Sequence, residues 1–294
     1  MVHYVICQHG LLGTRLDFKH FESHFATSEV KIVILSRNSS PTRTLDGIEA
    51  AGTRCAEEII EFLNTLHDPP VEKLVSVLGH SMGGLILRFA LRKIEIECLS
   101  VWKDNNIRKG VAFFLATPHV GISASSWAVY MSSQYVLRHL SRTASDLTFH
   151  SRVLEDLCDE DGIKSLNAFE RVILIANSRG DRLVSPGSAL VVGSLDCEIM
   201  KQSNEVTITE YSPTPQDVSR GDMKPEQQRI IESLNRKLTN VTRYLAFFPA
   251  AYPSFLARFD NTAHTKIICH GILDRSRMGF PIIEHVAEQL NSLI

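Results

Sequence analysis

The sequence predicts an α/β fold on one mostly parallel, doubly wound sheet. Short apolar runs at residues 4–7, 30–35, 74–78, 111–115 and 172–176 show little polar alternation, as strands covered on both faces do. Between them lie stretches with helical spacing. In residues 45–66 the apolar positions Ile48, Ala51, Cys55, Ile59, Phe62 and Leu66 recur every three or four residues. Strands that alternate with helices need crossover connections, which implies parallel pairing and excludes a strand-rich sandwich.

The third run leads through Gly79-His80-Ser81 into a helix-like stretch at 85–91. Residues 201–240 are polar and carry Pro213, Pro215 and Pro225, so they read as a long excursion whose second half, 226–238, is helical. Residues 279–294 set Phe280, Ile283, Val286, Ala287 and Leu290 on one face, which predicts a closing helix packed on the sheet. No repeat or low-complexity tract interrupts the chain, and residues 1–294 read as a single domain.

Composition narrows the function. Hydrophobic residues at 44% and charged residues at 22% exclude a disordered, collagen-like or coiled-coil chain. The net charge of −2 supplies no basic field, so nucleic acid is not an expected partner. The six cysteines form no CxxC pair and no cluster with histidine at ligand spacing, so they read as free thiols with no metal. The start of the chain runs into an apolar strand without a basic segment and cleavage site, which argues for a cytoplasmic protein over a secreted one. The most apolar long stretch, 244–257, is broken by Pro249 and Pro253 and falls short of the ~20 apolar residues that a membrane span requires.

Chemistry concentrates at Gly79-His80-Ser81-Met82-Gly83-Gly84. A bare G-x-S-x-G arises by chance in roughly one chain in ten of this length. Here it lies between a strand and a helix, the setting in which a nucleophilic serine sits on a sharp turn that no side chain two positions away could tolerate. Gly79 and Gly83 meet that need. The first strand ends in Gln8-His9-Gly10-Leu11-Leu12-Gly13-Thr14. Acyl transfer needs two backbone N–H groups for the developing oxyanion, one from the residue after the serine and one from a loop after an earlier strand. Met82 is the first, and Leu11, with Leu12 next, is the candidate for the second.

On such a fold the order along the chain is serine, acid, histidine. Asp181, in the loop after the strand at 172–176, is the acid candidate, since Asp196, Asp217 and Asp222 lie in the less anchored excursion. Of the histidines behind it, His285 falls beside Glu284 and Glu288 on the polar face of the closing helix and reads as solvated. His264 stands in a loop after an expected strand at 256–259, and His270 ends the apolar run 267–269. His264 is the candidate base and His270 its rival.

With these residues assembled, the chain resembles the serine esterase family of lipase-like α/β-hydrolases that includes the yeast ROG-type monoacylglycerol lipases. The resemblance rests on His9 to Thr14, Gly79 to Gly84, Ala116-Thr117-Pro118-His119-Val120-Gly121, Gly180 to Val184, and Ala263-His264 with Ile267-Ile268 behind it. It implies an α/β-hydrolase fold, with Ser81 as nucleophile, Asp181 as acid, His264 as base, Gly10, Gly79 and Gly83 as supporting glycines, and no cofactor. It assigns His119, which precedes Asp181, no catalytic part. It also implies a lipid ester substrate, acylglycerol or related, and leaves room for peripheral contact with a membrane or lipid-droplet surface. Gln8 departs from it, since an aliphatic residue is usual there, and so does the proline-bearing stretch 247–255.

Residues 122–160, after the fourth or fifth recognisable strand, stand where this superfamily inserts a lid or cap. Trp127, Tyr130, Met131, Tyr135, Val136 and Leu140 make an apolar stripe there, fit either to cover acyl chains or to face the core. An acyl-protein thioesterase would use the same machinery, and a hydrolase-fold binding protein without catalysis is the reading from a different class.

Overall fold

The computed structural model describes residues 1–66, 72–123, 141–181, 183–193, 195, 206–214, 217, 223–248, 264, 267–268 and 279–293. Among these, the strands are β1 (Val2–Gln8), β2 (Val30–Ile34), β3 (Lys73–His80), β4 (Ile107–Leu115), β5 (Arg171–Asn177), β6 (Thr207–Glu210) and β7 (Val241–Phe247). They form one sheet in the order β2-β1-β3-β4-β5-β7-β6. Every pairing is parallel except β6 with β7. The helices are α1 (Lys19–His24), α2 (Ile48–Asn64), α3 (Met82–Glu97), α4 (Ser100–Asp104), α5 (Arg142–Leu147), α6 (Val153–Asp156), α7 (Glu160–Asn167), α8 (Pro186–Leu190), α9 (Pro225–Lys237) and α10 (Phe280–Asn291).

The expected doubly wound arrangement is present, because side chains alternate between two cores. Ile6, Val75, Val77, Ala112, Phe114 and Leu174 pack with α2 and α3 on one face. Val5, Cys7, Leu78, Phe113, Leu115 and Ile173 pack on the other with Phe18, Phe21 and the α10 residues Ile282, Ile283, Val286 and Leu290. Burial of each large aliphatic side chain stabilises the fold by about 1.5–3 kcal/mol, which is why strands buried on both faces carry so few polar residues.

Ser76 is an exception with a reason. The β3–β4 register shifts between Val75 and Val77, and the Ser76 hydroxyl accepts the Val111 N–H at 2.8 Å, supplying a partner at the irregularity. His3 Nε2 lies 2.8 Å from the same oxygen.

The excursion at 201–240 contains more than a helix. β6 has the sequence Thr-Ile-Thr-Glu at the sheet edge and runs antiparallel to β7. Polar alternation over four residues is a weak strand signal, so the sequence pattern missed it. The expected strand at 256–259 lies outside the described residues, and the strand that precedes His264 in the described chain is β7. His285 is a correction: it is not solvated, since its side chain is 14% exposed and its ring packs edge-on against Tyr244 at 4.4 Å. An aromatic partner on β7 draws the helix face inward there, and burial holds the His285 pKa below its ordinary value.

Of the segment expected as a lid, Trp127, Tyr130, Met131, Tyr135, Val136 and Leu140 lie outside the described residues. Its later part, residues 141–160, packs against the turn before α2 and the start of that helix. Thr143 Oγ1 donates to the Thr44 carbonyl at 2.8 Å and accepts the Gly47 N–H at 3.1 Å. The Asp146 carboxylate accepts the Ile48 N–H at 2.8 Å, at the start of α2, where Gly47 has no side chain to cap the helix.

Candidate active site

Ser81 is the single residue between β3 and α3, and its backbone takes φ 55°, ψ −134°. A residue with a Cβ rarely adopts a positive φ, and such strain persists only where its surroundings enforce it. They do so here. The Ser81 N–H donates to the Leu115 carbonyl at 2.8 Å. A Cβ on Gly79 would strike the backbone of Gly84, and one on Gly83 would strike the carbonyl oxygens of Gln8 and His9. Glycine at both positions therefore lets strand, turn and helix close on one another. Gly10 fills the third tight place, since a Cβ there would come within 2.8 Å of the Ser81 Cβ.

Asp181 follows β5 after Gly180, whose φ of 76° suits glycine and turns the chain. One carboxylate oxygen, Oδ1, accepts the N–H groups of Leu183 at 3.0 Å and Val184 at 2.9 Å. The other, Oδ2, accepts the Asn177 amide at 2.8 Å and His264 Nδ1–H at 2.8 Å. Burial pushes this carboxyl up, but the charge and hydrogen bond of His264, with the bonds from Val184 and Asn177, outweigh it and hold its pKa below the ordinary value. The acid is therefore an anion at neutral pH although its side chain is 1% exposed.

His264 Nε2 lies 2.8 Å from Ser81 Oγ. With Asp181 accepting from Nδ1, the neutral ring presents a bare Nε2 to the serine hydroxyl, which donates to it. The structure thus brings Ser81, His264 and Asp181 into one hydrogen-bonded line. His270, the rival, lies outside the described residues.

Around the serine, the N–H of Leu11 and that of Met82, the first residue of α3, have no acceptor among the described residues. The Leu12 N–H differs, because it donates to Thr44 Oγ1 at 2.9 Å. Leu12 is thereby withdrawn as an anion donor. Thr44, in a short 3-10 turn that carries no sequence signal, and Asn177 are the supporting residues that pattern reading missed; Asn177 was visible only as the polar end of a strand.

Gln8 is fully buried, with its amide donating to the His9 carbonyl at 3.0 Å and its Oε1 accepting from Asn38 at 3.3 Å. That network accounts for a polar residue where an aliphatic one is usual. The His119 Nδ1 accepts from the buried Arg88 at 3.2 Å. Burial first, then the charges of Arg88 and Arg243, hold it neutral. Among the described residues no three His, Cys, Asp or Glu side chains cluster to hold a metal. No described helix is long and apolar enough to cross a membrane.

A mostly parallel sheet, a strained serine after β3, an acid after β5 and a histidine from the last part of the chain define the α/β-hydrolase class. More particularly, the chain belongs to the family described as Putative serine esterase (DUF676), which matches residues 1–198. It is 30% identical over 195 residues to Putative lipase ROG1 of Saccharomyces cerevisiae, covering 62% of this chain and 27% of the relative, so it spans about a quarter of that protein's length. Solved structures similar to it include the monoacylglycerol lipase of Paleococcus ferrophilus, at 12% identity and TM-score 0.48, covering 98% of this chain and 94% of the other. Another is YbtT, a type II thioesterase of yersiniabactin biosynthesis, at 14% identity and TM-score 0.45, covering 98% and 94%.

Proposed function

We propose that residues 1–294 act as one hydrolase domain that cleaves carboxylic esters of lipids through Ser81, His264 and Asp181. The observation that carries this reading is the 2.8 Å approach of His264 Nε2 to Ser81 Oγ, with Nδ1 held by Asp181. Ser81 Oγ attacks the ester carbonyl carbon as its proton passes to Nε2. The imidazolium so formed is stabilised by the Asp181 carboxylate. The oxyanion takes hydrogen bonds from the Leu11 and Met82 N–H groups. Collapse expels the alcohol, which receives the proton from His264, and leaves an acyl group on Ser81. Water, deprotonated by the same histidine, then attacks the acyl carbon, releasing the fatty acid and restoring the serine hydroxyl.

The lipid class is supported by the name of the yeast relative, a lipase, and by the apolar stripe at 127–140 as a candidate cover. Transient contact of the protein with a membrane or lipid droplet belongs to this reading. The test is labelling by a fluorophosphonate probe, followed by a hydrolysis panel of monoacylglycerol, triacylglycerol, phospholipid and acyl thioester. Labelling abolished in Ser81→Ala, with monoacylglycerol turned over fastest, is the expected result. Preference for the thioester would replace the lipid assignment, and no labelling of the wild-type protein would overturn the catalytic one.

A further inference from the structure

His80 is the last residue of β3, next to Ser81, and its side chain is buried. Its Nε2 lies 2.9 Å from the backbone carbonyl oxygen of His264, a residue 184 positions away, and the two rings are 4.9 Å apart. A carbonyl can only accept, so the proton of the His80 ring is on Nε2. Nδ1 is left bare, buried and without a partner among the described residues. Burial, with the charge of His264 second, brings the His80 pKa down to about 3, so the ring stays neutral and does not oppose the imidazolium that forms on its neighbour.

We propose that His80 is a positioning residue for the base: the dipeptide His80-Ser81 carries the nucleophile and also fixes the backbone from which His264 reaches it. This rests on the reading of Ser81 and His264 as nucleophile and base. The side chain of His264 is held by Asp181 and Ser81, but two side-chain bonds leave its main chain free to shift, and the angle at Nε2 shifts with it. The bond from His80 ties the main chain of the base to the peptide unit that carries the nucleophile. Their separation is then set across one residue and not through the whole segment leading to His264. An apolar side chain at position 80 would leave the His264 carbonyl without its described partner in a buried place, where an unmatched acceptor is costly.

The test compares His80→Gln, His80→Asn and His80→Phe on a soluble short-chain ester, p-nitrophenyl butyrate. Gln places an amide donor about where imidazole Nε2 stands, Asn carries the same group one methylene short, and Phe keeps the ring without a donor. Expected is a kcat within about threefold of wild type for Gln, and a fall of ~10–100-fold for Asn and Phe with KM little changed, as a misplaced catalytic group costs up to ~10²-fold. Fluorophosphonate labelling slows in the same order. Should Phe fail to fold, the Gln and Asn pair, checked for equal thermal midpoints, decides alone. Equal kcat for Gln and Asn overturns the proposal, as does a loss that follows the midpoint and not the donor. Ser81→Ala is run beside them: activity retained there overturns the triad itself, whereas an inactive Ser81→Ala with equal Gln and Asn overturns only the role of His80.

Discussion

The Leu12 N–H donates to Thr44 Oγ1 at 2.9 Å, and this bond settles which of two adjacent leucine amides is left without an acceptor. Leu12 sits at φ 55°, so the loop after β1 is held in a conformation it would not choose alone. Thr44 is itself braced, since its carbonyl accepts from Thr143 at 2.8 Å. Thr44→Val keeps the shape and removes the acceptor. It should lower kcat about tenfold with little change in KM, because an oxyanion donor matters in the transition state and not in substrate binding. Thr44→Ser should restore most of the loss. Unchanged kcat in the valine variant would mean that the loop does not depend on this bond.

Gly83 faces the carbonyl oxygens of Gln8 and His9 closely enough that a Cβ has no room. Both neighbours are backbone at the end of a central strand and cannot step aside as a flexible side chain can. Gly83→Ala should therefore cost about 3 kcal/mol, the upper part of the usual overpacking range, and lower the thermal midpoint by roughly 6–12 °C. Scanning calorimetry checks it. A midpoint within a degree or two of wild type would show that α3 can slide away from β1 at little cost.

Much of this arrangement is visible in the sequence itself. Buried parallel strands are continuous apolar runs, so β1 to β5 were legible, and the glycines around Ser81 mark a turn whose geometry tolerates nothing else. Order along the chain led to Asp181 and left His264 with a rival. What escaped reading depends on contacts between distant segments. Thr44 reaches Leu12 from a 3-10 turn, His80 reaches the carbonyl of a residue far along the chain, and His285 turns inward because Tyr244 stands opposite it. None of these partners is implied by spacing. β6 was hidden for a different reason, since a four-residue polar edge strand resembles a loop until its partner is known.

If the proposed triad carries the reaction, Ser81→Ala should abolish ester hydrolysis while leaving the fold intact, and His264→Ala should match it, each by ~10⁴–10⁶ in kcat. The reason is that the members act as one unit: a serine without its base is a weak nucleophile, and a base without the serine has nothing to activate. Double replacement should cost little more than either alone. His270→Ala should retain near-wild-type turnover. If His270→Ala is the inactive variant and His264→Ala the active one, the base has been assigned to the wrong histidine.

Acid stability gives an independent reading of the buried histidines. Burial, aided by the charge of Arg108 on His3 and of His264 on His80, lowers their folded pKa values from 6.5 to about 4 and about 3. The unfolded chain therefore binds these protons first. Stability is complete above the unfolded value near 6.5, begins to fall as the pH drops through it, and goes on falling until the folded values are reached. At pH 5 each group costs about 2 kcal/mol relative to pH 7. His3 lies at the end of the strands away from Ser81, and its bond to Ser76 can be made by an amide. His3→Gln should thus lose about 2 kcal/mol less than wild type between pH 7 and pH 5 in denaturant unfolding, whatever its stability at pH 7, and leave ester hydrolysis unchanged. Parallel stability curves for the two proteins would mean that His3 takes up its proton in the folded state as readily as in the unfolded one.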